Sequence, residues 1–147
     1  MEAELPRTDQ SLPIALIRAR EVLMAPIREM LAESGLTEQQ WRILRVLKEG
    51  GPMDARAISK LAAISAPSVS RILVALEDRE LILRRGDSKD RRRQVISIAS
   101  AGDYIIQRNI SSAKKRAIAN RERLGAEKYD TLLTLLAEIS SWPENPR

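Results

Sequence analysis

The sequence predicts a mainly α protein with a small β-hairpin, a winged helix-turn-helix flanked by N- and C-terminal dimerisation helices. Two observations carry that expectation. Apolar residues recur at helical spacing, each run opened by a capping residue or an early proline, over most of the chain. Between residues 81 and 98 the period changes, and two β-rich stretches flank a polar loop with a basic tip.

Residues 1–10 are polar and carry Pro6, which suits a loosely ordered arm. From Leu12 to about Ser34 the apolar positions Leu12, Leu16, Ala19, Leu23, Ile27 and Met30/Leu31 fall on one helical stripe. Pro13 fits a first turn, where its missing N–H is harmless. Pro26 does not, and predicts a kink or a local break. Gly35 follows as a C′ residue.

Thr37-Glu38-Gln39-Gln40 is a capping box. It opens a second helix to about Lys48, with Trp41, Ile43, Leu44, Val46 and Leu47 apolar, until Gly50-Gly51-Pro52 stops it. Asp54 can cap a short third helix containing Ile58, Leu61 and Ala62. After a turn at Ile64 and Ser65, a fourth helix has Pro67 early in its first turn. It runs to about Glu80 with Val69, Ile72, Leu73 and Leu76 as its stripe.

Residues 81–85 and 94–98 read as the two strands of the hairpin, joined by the polar loop 86–92. Ser100 is placed to cap a long helix over about 101–124, ended by Gly125. A last helix from Ala126 to about Ser141 carries Leu132, Leu133, Leu135, Leu136 and Ile139. The whole is read as one domain over 1–147. Within it, residues 36–99 are read as a central lobe and 10–35 and 100–142 as flanking helices expected to pair with a second copy.

Composition removes several kinds of chemistry. The 147 residues include no Cys and no His, and only four aromatics, Trp41, Trp142, Tyr104 and Tyr129. There is no thiol for redox or metal work, and neither the commonest general base nor the commonest zinc ligand. No nucleophile elbow, phosphate-binding loop or dinucleotide fingerprint occurs, so no catalytic residue, cofactor or metal site is expected. No apolar run approaches the ~20 residues of a bilayer span. The start, Met1-Glu2-Ala3-Glu4, lacks a basic segment leading into an apolar core. A cytoplasmic protein without membrane attachment is the expectation.

The net charge of +5 is concentrated. Arg84, Arg85, Lys89, Arg91, Arg92 and Arg93 face only Asp87 and Asp90, which puts four of the five net charges into ten residues. Such a run is a solvated loop or a phosphate-binding surface. The start of the fourth helix, Ser65-Ala66-Pro67-Ser68-Val69-Ser70-Arg71, offers small hydroxyls and one Arg, suited to groove entry. Taken singly, Ser65 is equally an N-cap, and Ser68 and Ser70 ordinary surface serines. Beside a basic hairpin they read as a double-stranded DNA contact.

The stretch Asp87-Ser88-Lys89-Asp90-Arg91-Arg92-Arg93-Gln94-Val95-Ile96-Ser97-Ile98-Ala99-Ser100-Ala101-Gly102 resembles the wing of the MarR family of bacterial transcription regulators. That pattern is an acidic residue, one intervening residue and an Arg, then an apolar strand, a Thr or Ser and a Gly. The helix plan is similar over about residues 10–142. Leu36-Thr37-Glu38-Gln39-Gln40-Trp41-Arg42-Ile43-Leu44-Arg45 and Ala15-Leu16-Ile17-Arg18-Ala19-Arg20-Glu21 resemble one branch, the repressors of homoprotocatechuate (3,4-dihydroxyphenylacetate) degradation operons.

The resemblance implies that Arg92 enters the minor groove, whose negative potential attracts Arg, with Asp90 holding it by a salt bridge. It implies that Ser68, Ser70 and Arg71 face the major groove and its phosphates. Lys89 and Arg91 fit further phosphate contacts. The family's thiol peroxide sensors and zinc sensors need residues this chain lacks, which leaves a small-molecule effector. Arg20 lies on the stripe of Leu16 and Leu23, where a lone charge is costly unless paired. With Trp41 it could hold a small aromatic carboxylate by bidentate hydrogen bonds and stacking; Arg18 is the neighbouring alternative. Equally, Arg20 could pair with Glu21 or Glu38, and Trp41 could be plain core.

The apolar positions Leu12, Leu16, Leu132, Leu133, Leu136 and Ile139 exceed what a small winged helix can cover, which predicts an obligate homodimer reading a pseudo-palindromic operator. The competing classes are a non-specific architectural nucleic-acid binder, a protein-interaction module and an enzyme.

Overall fold

The computed structural model describes residues 4–90 and 92–144; Arg91, one of the residues expected at DNA, lies outside them. After a short 3-10 turn at Thr8–Gln10, helix α1 spans Leu12–Ala32, with the Ser11 hydroxyl accepting from the Ile14 N–H and Pro13 in the first turn. The helix is continuous through Pro26, so the expected break does not occur. A proline removes one hydrogen bond, and the turns on either side keep theirs. Gly35, at φ +64°, closes the end: its N–H bonds the Ala32 carbonyl, and the Leu36 N–H bonds that of Leu31. That is the Schellman pattern, in which glycine takes the left-handed position without steric cost.

The capping box forms as read. Thr37 Oγ1 accepts from the Gln40 N–H, and Gln40 Oε1 from the Thr37 N–H, both at 3.1 Å, opening α2 over Glu38–Gly50. Helices α3, Ala55–Ala62, and α4, Ala66–Asp78, meet at 109°, within the range of a helix-turn-helix. Their turn passes through Ala63 in the left-handed region, φ +53°. Helix α4 stops at Asp78 rather than Glu80, because Glu80 itself turns to φ +58°.

Strands β1, Ile82–Gly86, and β2, Gln94–Ile98, pair antiparallel with Ile82 opposite Ile98 and Gly86 opposite Gln94. Met53, just before α3, bridges to Ile96 on β2. Helix α5, Ser100–Leu124, and helix α6, Ala126–Ser140, complete the chain. Ser100 lies inside α5 instead of capping it: the Asp103 N–H already bonds the carbonyl of Ala99. Gly102 lets α5 start against the hairpin, since a Cβ there would run into the Leu81 carbonyl oxygen.

Two compact units divide the chain, one ending at Asn109 and one beginning at Ile110. The core of the first is Leu31 of α1, Ile43, Leu44 and Leu47 of α2, Ile58 of α3, Val69, Leu73 and Leu76 of α4, with Ile82 and Ile96 of the hairpin. Leu61 of α3 stays outside it, 61% exposed. The stripe of α1 is likewise not inward-facing within the chain: Leu12, Leu16 and Leu23 are exposed, and only Leu31 is buried. In the second unit α6 buries no residue at all.

Candidate functional site

The start of α4 is built as a polar face over a buried stripe. Val69 and Leu73 point into the core, which leaves Ser65, Pro67, Ser70 and Arg71 exposed and Ser68 half-buried. Ser65 makes no side-chain cap. Its hydroxyl donates instead to Ser68 Oγ at 3.0 Å, and Arg71 Nη2 donates to the same oxygen at 3.2 Å. The first N–H groups of α4 therefore have no side-chain partner, the condition in which a helix end receives phosphate oxygens.

The wing spends its carboxylates on its own backbone. Asp87 Oδ1 accepts from the Lys89 N–H at 2.9 Å, and Asp90 Oδ1 from the Arg92 N–H at 3.0 Å. The Asp87 N–H bonds the Arg93 carbonyl and the Arg93 N–H bonds the Asp90 carbonyl, closing the loop. These Asx turns shape the tip without neutralising it. They also correct one expectation: among the described residues Asp90 holds Arg92 through its backbone, not by a salt bridge to its guanidinium. A two-residue separation brings the carboxylate to the N–H before the long side chain can fold back.

The base of the hairpin carries ion pairs that are not found among the described residues of its tip. Arg84 Nε lies 3.2 Å from Glu77 Oε2 on α4, and Arg93 Nε 2.8 Å from Asp54 Oδ2 ahead of α3. Asp54 also caps α3, its Oδ1 accepting from the Ala57 N–H at 2.8 Å. That backbone bond chiefly, and the charges of Arg93 and Arg56, hold its carboxyl below the usual 3.8. Sequence reasoning assigned Asp54 only a cap and gave Arg84 and Arg93 only charge. Two cations at the ends of the basic run, Arg84 within β1 and Arg93 just ahead of β2, were the available signal.

On α1, Arg20 is half-exposed and pairs with Glu38 in the first turn of α2. Arg28 pairs with Glu21 and lies 3.6 Å from the other oxygen of Glu38. Arg18 is exposed, and Trp41 is only 5% exposed, packed in the core. Glu38 and Trp41 are three residues apart and so share a face of α2. The ion pair on Arg20 is the one with Glu38, and it answers the cost of a lone charge; Arg28 is the partner that sequence reasoning missed.

Among the described residues no group of acidic side chains is arranged to hold a metal ion, and no single helix is long and apolar enough to cross a membrane. Residues 36–93 match the model of the MarR family. The chain is 38% identical over 130 residues to the HTH-type transcriptional regulator FarR of Neisseria gonorrhoeae, which covers 88% of this chain and 89% of that protein. It is 36% identical over 129 residues to the homoprotocatechuate degradative operon repressor of Escherichia coli, with 88% and 87% covered. The crystal structure of NadR in complex with 4-hydroxyphenylacetate matches with a TM-score of 0.82 at 35% identity, over 97% of this chain and 100% of that one.

Proposed function

The chain belongs to the MarR family, and on that premise we propose that it is a homodimeric, sequence-specific DNA-binding repressor released by a small aromatic carboxylate. The observation that carries the reading is the start of α4, which has no side-chain cap and is lined by Ser65, Ser68, Ser70 and Arg71, in the same compact unit as the basic wing. Residues 36–99 serve as the DNA-binding lobe, and 10–35 and 100–142 as the dimerisation helices. In each half-site α4 enters the major groove, with Pro67 fixing its first turn. Arg92 reads the minor groove, and Lys89 and Arg91 contact phosphate. Two protomers then read a pseudo-palindrome. The protein is a cytoplasmic regulator rather than an enzyme.

The effector reading rests on Arg20, with Arg18 as its neighbour and Trp41 as the apolar floor. Because Arg20 is paired with Glu38, an incoming carboxylate competes with that residue for the guanidinium. Relatives named for homoprotocatechuate and solved with 4-hydroxyphenylacetate support an aromatic acid of this size. A ligand shifts the protein only by its differential affinity for the DNA-incompetent state.

Selection of duplexes from a random pool, then titration of the winner, tests the first half. One enriched pseudo-palindrome supports the repressor; uniform, salt-sensitive coating of any duplex supports an architectural protein instead. Arg92→Ala is expected to weaken operator binding by about 1–3 kcal/mol per half-site, as loss of a groove contact does. Lys89→Ala is expected to weaken all duplexes alike and lower the salt slope. Adding 3,4-dihydroxyphenylacetate or 4-hydroxyphenylacetate is expected to release operator about 5–150-fold, the usual allosteric range. Arg20→Met keeps operator affinity and loses that release, whereas Glu38→Gln, which removes the competitor, lowers the acid concentration required. Equal release from parent and Arg20→Met would remove Arg20 from the pocket.

A further inference from the structure

The ion pair between Asp54 and Arg93 has no part in either half of that reading, yet it sits where the hairpin meets the helix-turn-helix. Asp54 divides its carboxylate between two tasks. Oδ1 caps α3 through the Ala57 N–H, and Oδ2 lies 2.8 Å from Arg93 Nε. The residue before it is paired to the same strand: Met53 donates to the Ile96 carbonyl at 3.0 Å and accepts from the Ile96 N–H at 2.8 Å. The cleft beside this junction is lined by Arg56, Arg84, Arg92 and Arg93, with Asp54 and Asp90 as its carboxylates. Asp90 has already given Oδ1 to its own loop.

Four guanidinium groups around one cleft repel one another, and neutralising one of the two carboxylates that line it raises that repulsion. Arg84, which lines the same cleft, is tied to Glu77 of α4. The hairpin is thus tethered at its base from α3 and from α4, while its tip keeps its cations. An aspartate so close to a DNA-binding face is electrostatically wrong for DNA by itself, since it repels phosphate. The cap on α3 uses Oδ1 only and leaves the contact of Oδ2 with Arg93 to be accounted for.

We infer that Asp54 is a positioning residue for DNA binding: through Arg93 it holds the wing base against the start of α3 and so places the wing tip for the minor groove. The inference rests on the DNA-binding reading above. Its consequence is a sign that charge alone cannot produce. Neutralising a carboxylate near DNA strengthens binding when only charge counts; here it weakens operator binding because the wing loses its anchor.

The test uses Asp54→Asn, which retains an N-cap oxygen of comparable quality for Ala57, with Asp54→Ser as a second capping variant. Each is titrated on the selected operator and on an unrelated duplex of equal length, and its thermal unfolding is recorded. Operator affinity is expected to fall about tenfold, the scale of coupling within one ion-pair network, while affinity for the unrelated duplex holds or rises and the melting temperature stays within a few degrees. In an Arg93→Met background the same Asp54→Asn change is expected to reverse sign and leave operator binding equal or tighter, because no anchor remains to be lost. Equal or tighter operator binding by Asp54→Asn in the parent background overturns the inference, and so does an equal loss in both backgrounds. A parent protein that selects no sequence from the pool overturns the DNA-binding reading itself, before any variant is made.

Discussion

The two units of this chain treat apolar surface in opposite ways. In the first, α2, α3, α4 and the hairpin close over one another, and Leu31, Ile43, Leu44, Ile58, Leu73 and Leu76 are each fully buried. In the second, α6 carries as regular an apolar pattern yet buries nothing, with Leu132, Leu133 and Leu135 about half-exposed. Periodicity alone is common to both. What differs is whether the chain itself supplies the opposing face. The first unit owns its core. The second presents surface that a second copy of the chain is proposed to cover, and the exposed α1 face of Leu12, Leu16 and Leu23 belongs with it by the same criterion.

The sharpest way to break that comparison is to make one substitution in each region. Leu73→Ala empties a fully enclosed site and is expected to cost about 2–5 kcal/mol in urea unfolding, the transfer loss plus a cavity. Leu133→Ala removes the same atoms from a side chain 52% exposed in one chain. It is expected to act on self-association, with an unfolding midpoint that depends more strongly on protein concentration than the parent's. Leu133→Glu is expected to yield monomers by sedimentation. If Leu133→Ala cost as much as Leu73→Ala at every concentration, α6 would have a core of its own and the contrast would fail.

A second pair of substitutions separates close packing from backbone conformation. Gly102→Ala drives a methyl into the Leu81 carbonyl oxygen and toward Ile98. Backbone has to move, so a loss of about 1–3 kcal/mol is expected, as for overpacking. Gly125→Ala meets nothing within 4 Å, but its φ of +96° is one that a side chain rarely adopts. Its cost is therefore purely conformational, about 1–3 kcal/mol for a side chain held in a sparsely populated backbone region. Circular dichroism melts of both variants check the order. Only Gly102→Ala, in the unit with the packed core, should also loosen the hairpin.

Which of these features the sequence exposes follows from their range. The capping box at Thr37, the Asp54 cap and the hairpin loop are formed by residues two or three apart, so spacing and residue type are enough to find them. The ties that hold the first unit together span far more chain. Arg79 donates to the carbonyls of Ser34 and Gly35, and Asn109 Nδ2 donates to Ser34 Oγ at 3.0 Å. Nothing periodic marks such pairs, and Asp54–Arg93 escapes for the same reason; Arg20–Glu38, by contrast, is one of the two pairings the sequence already offers for Arg20. The exposed Leu61 and the α1 stripe mark a third limit: amphipathic spacing identifies an apolar face without saying what covers it. For the DNA face the residue types were legible at Ser65 to Arg71 and at Lys89 to Arg92, whereas the backbone role of Asp90 depended on loop geometry.

A smaller effect sharpens the picture of the helix-turn-helix itself. Ala63 holds the α3–α4 turn at φ +53°, ψ +52°, where its Cβ is strained. Its N–H bonds the Ser59 carbonyl, and Ile64 behind it is buried, so the turn keeps this shape. Ala63→Gly relieves a left-handed cost of about 1–2 kcal/mol and gives back part of it as unfolded-chain entropy. A net gain of about 0.5–1 kcal/mol in urea unfolding is expected, with operator binding unchanged. Destabilisation instead would mean that the turn is held open by contacts of the Ala63 methyl.

The smallest effect is in the pH dependence, and its sign is fixed by Asp54. The folded protein holds this carboxyl below its usual 3.8, chiefly through the Ala57 N–H and then through Arg93 and Arg56. A group whose pKa is lower in the folded state binds protons less readily there than in the unfolded chain. Its stabilisation is thus complete above the unfolded value and disappears as pH falls through the folded one. Asn at this position caps α3 but does not titrate. The stability difference between parent and Asp54→Asn is therefore expected to be about 0.3–1 kcal/mol at pH 6, the scale of a charge at a helix end, and to shrink as pH is taken below 3.8. Titrations of the remaining carboxylates are common to both proteins and cancel in the difference. Urea unfolding of the pair at pH 6 and pH 2.5 measures it. A difference that stayed constant across that interval would assign the effect to lost hydrogen-bond geometry, and would leave the charge of Asp54 with no hold on the wing.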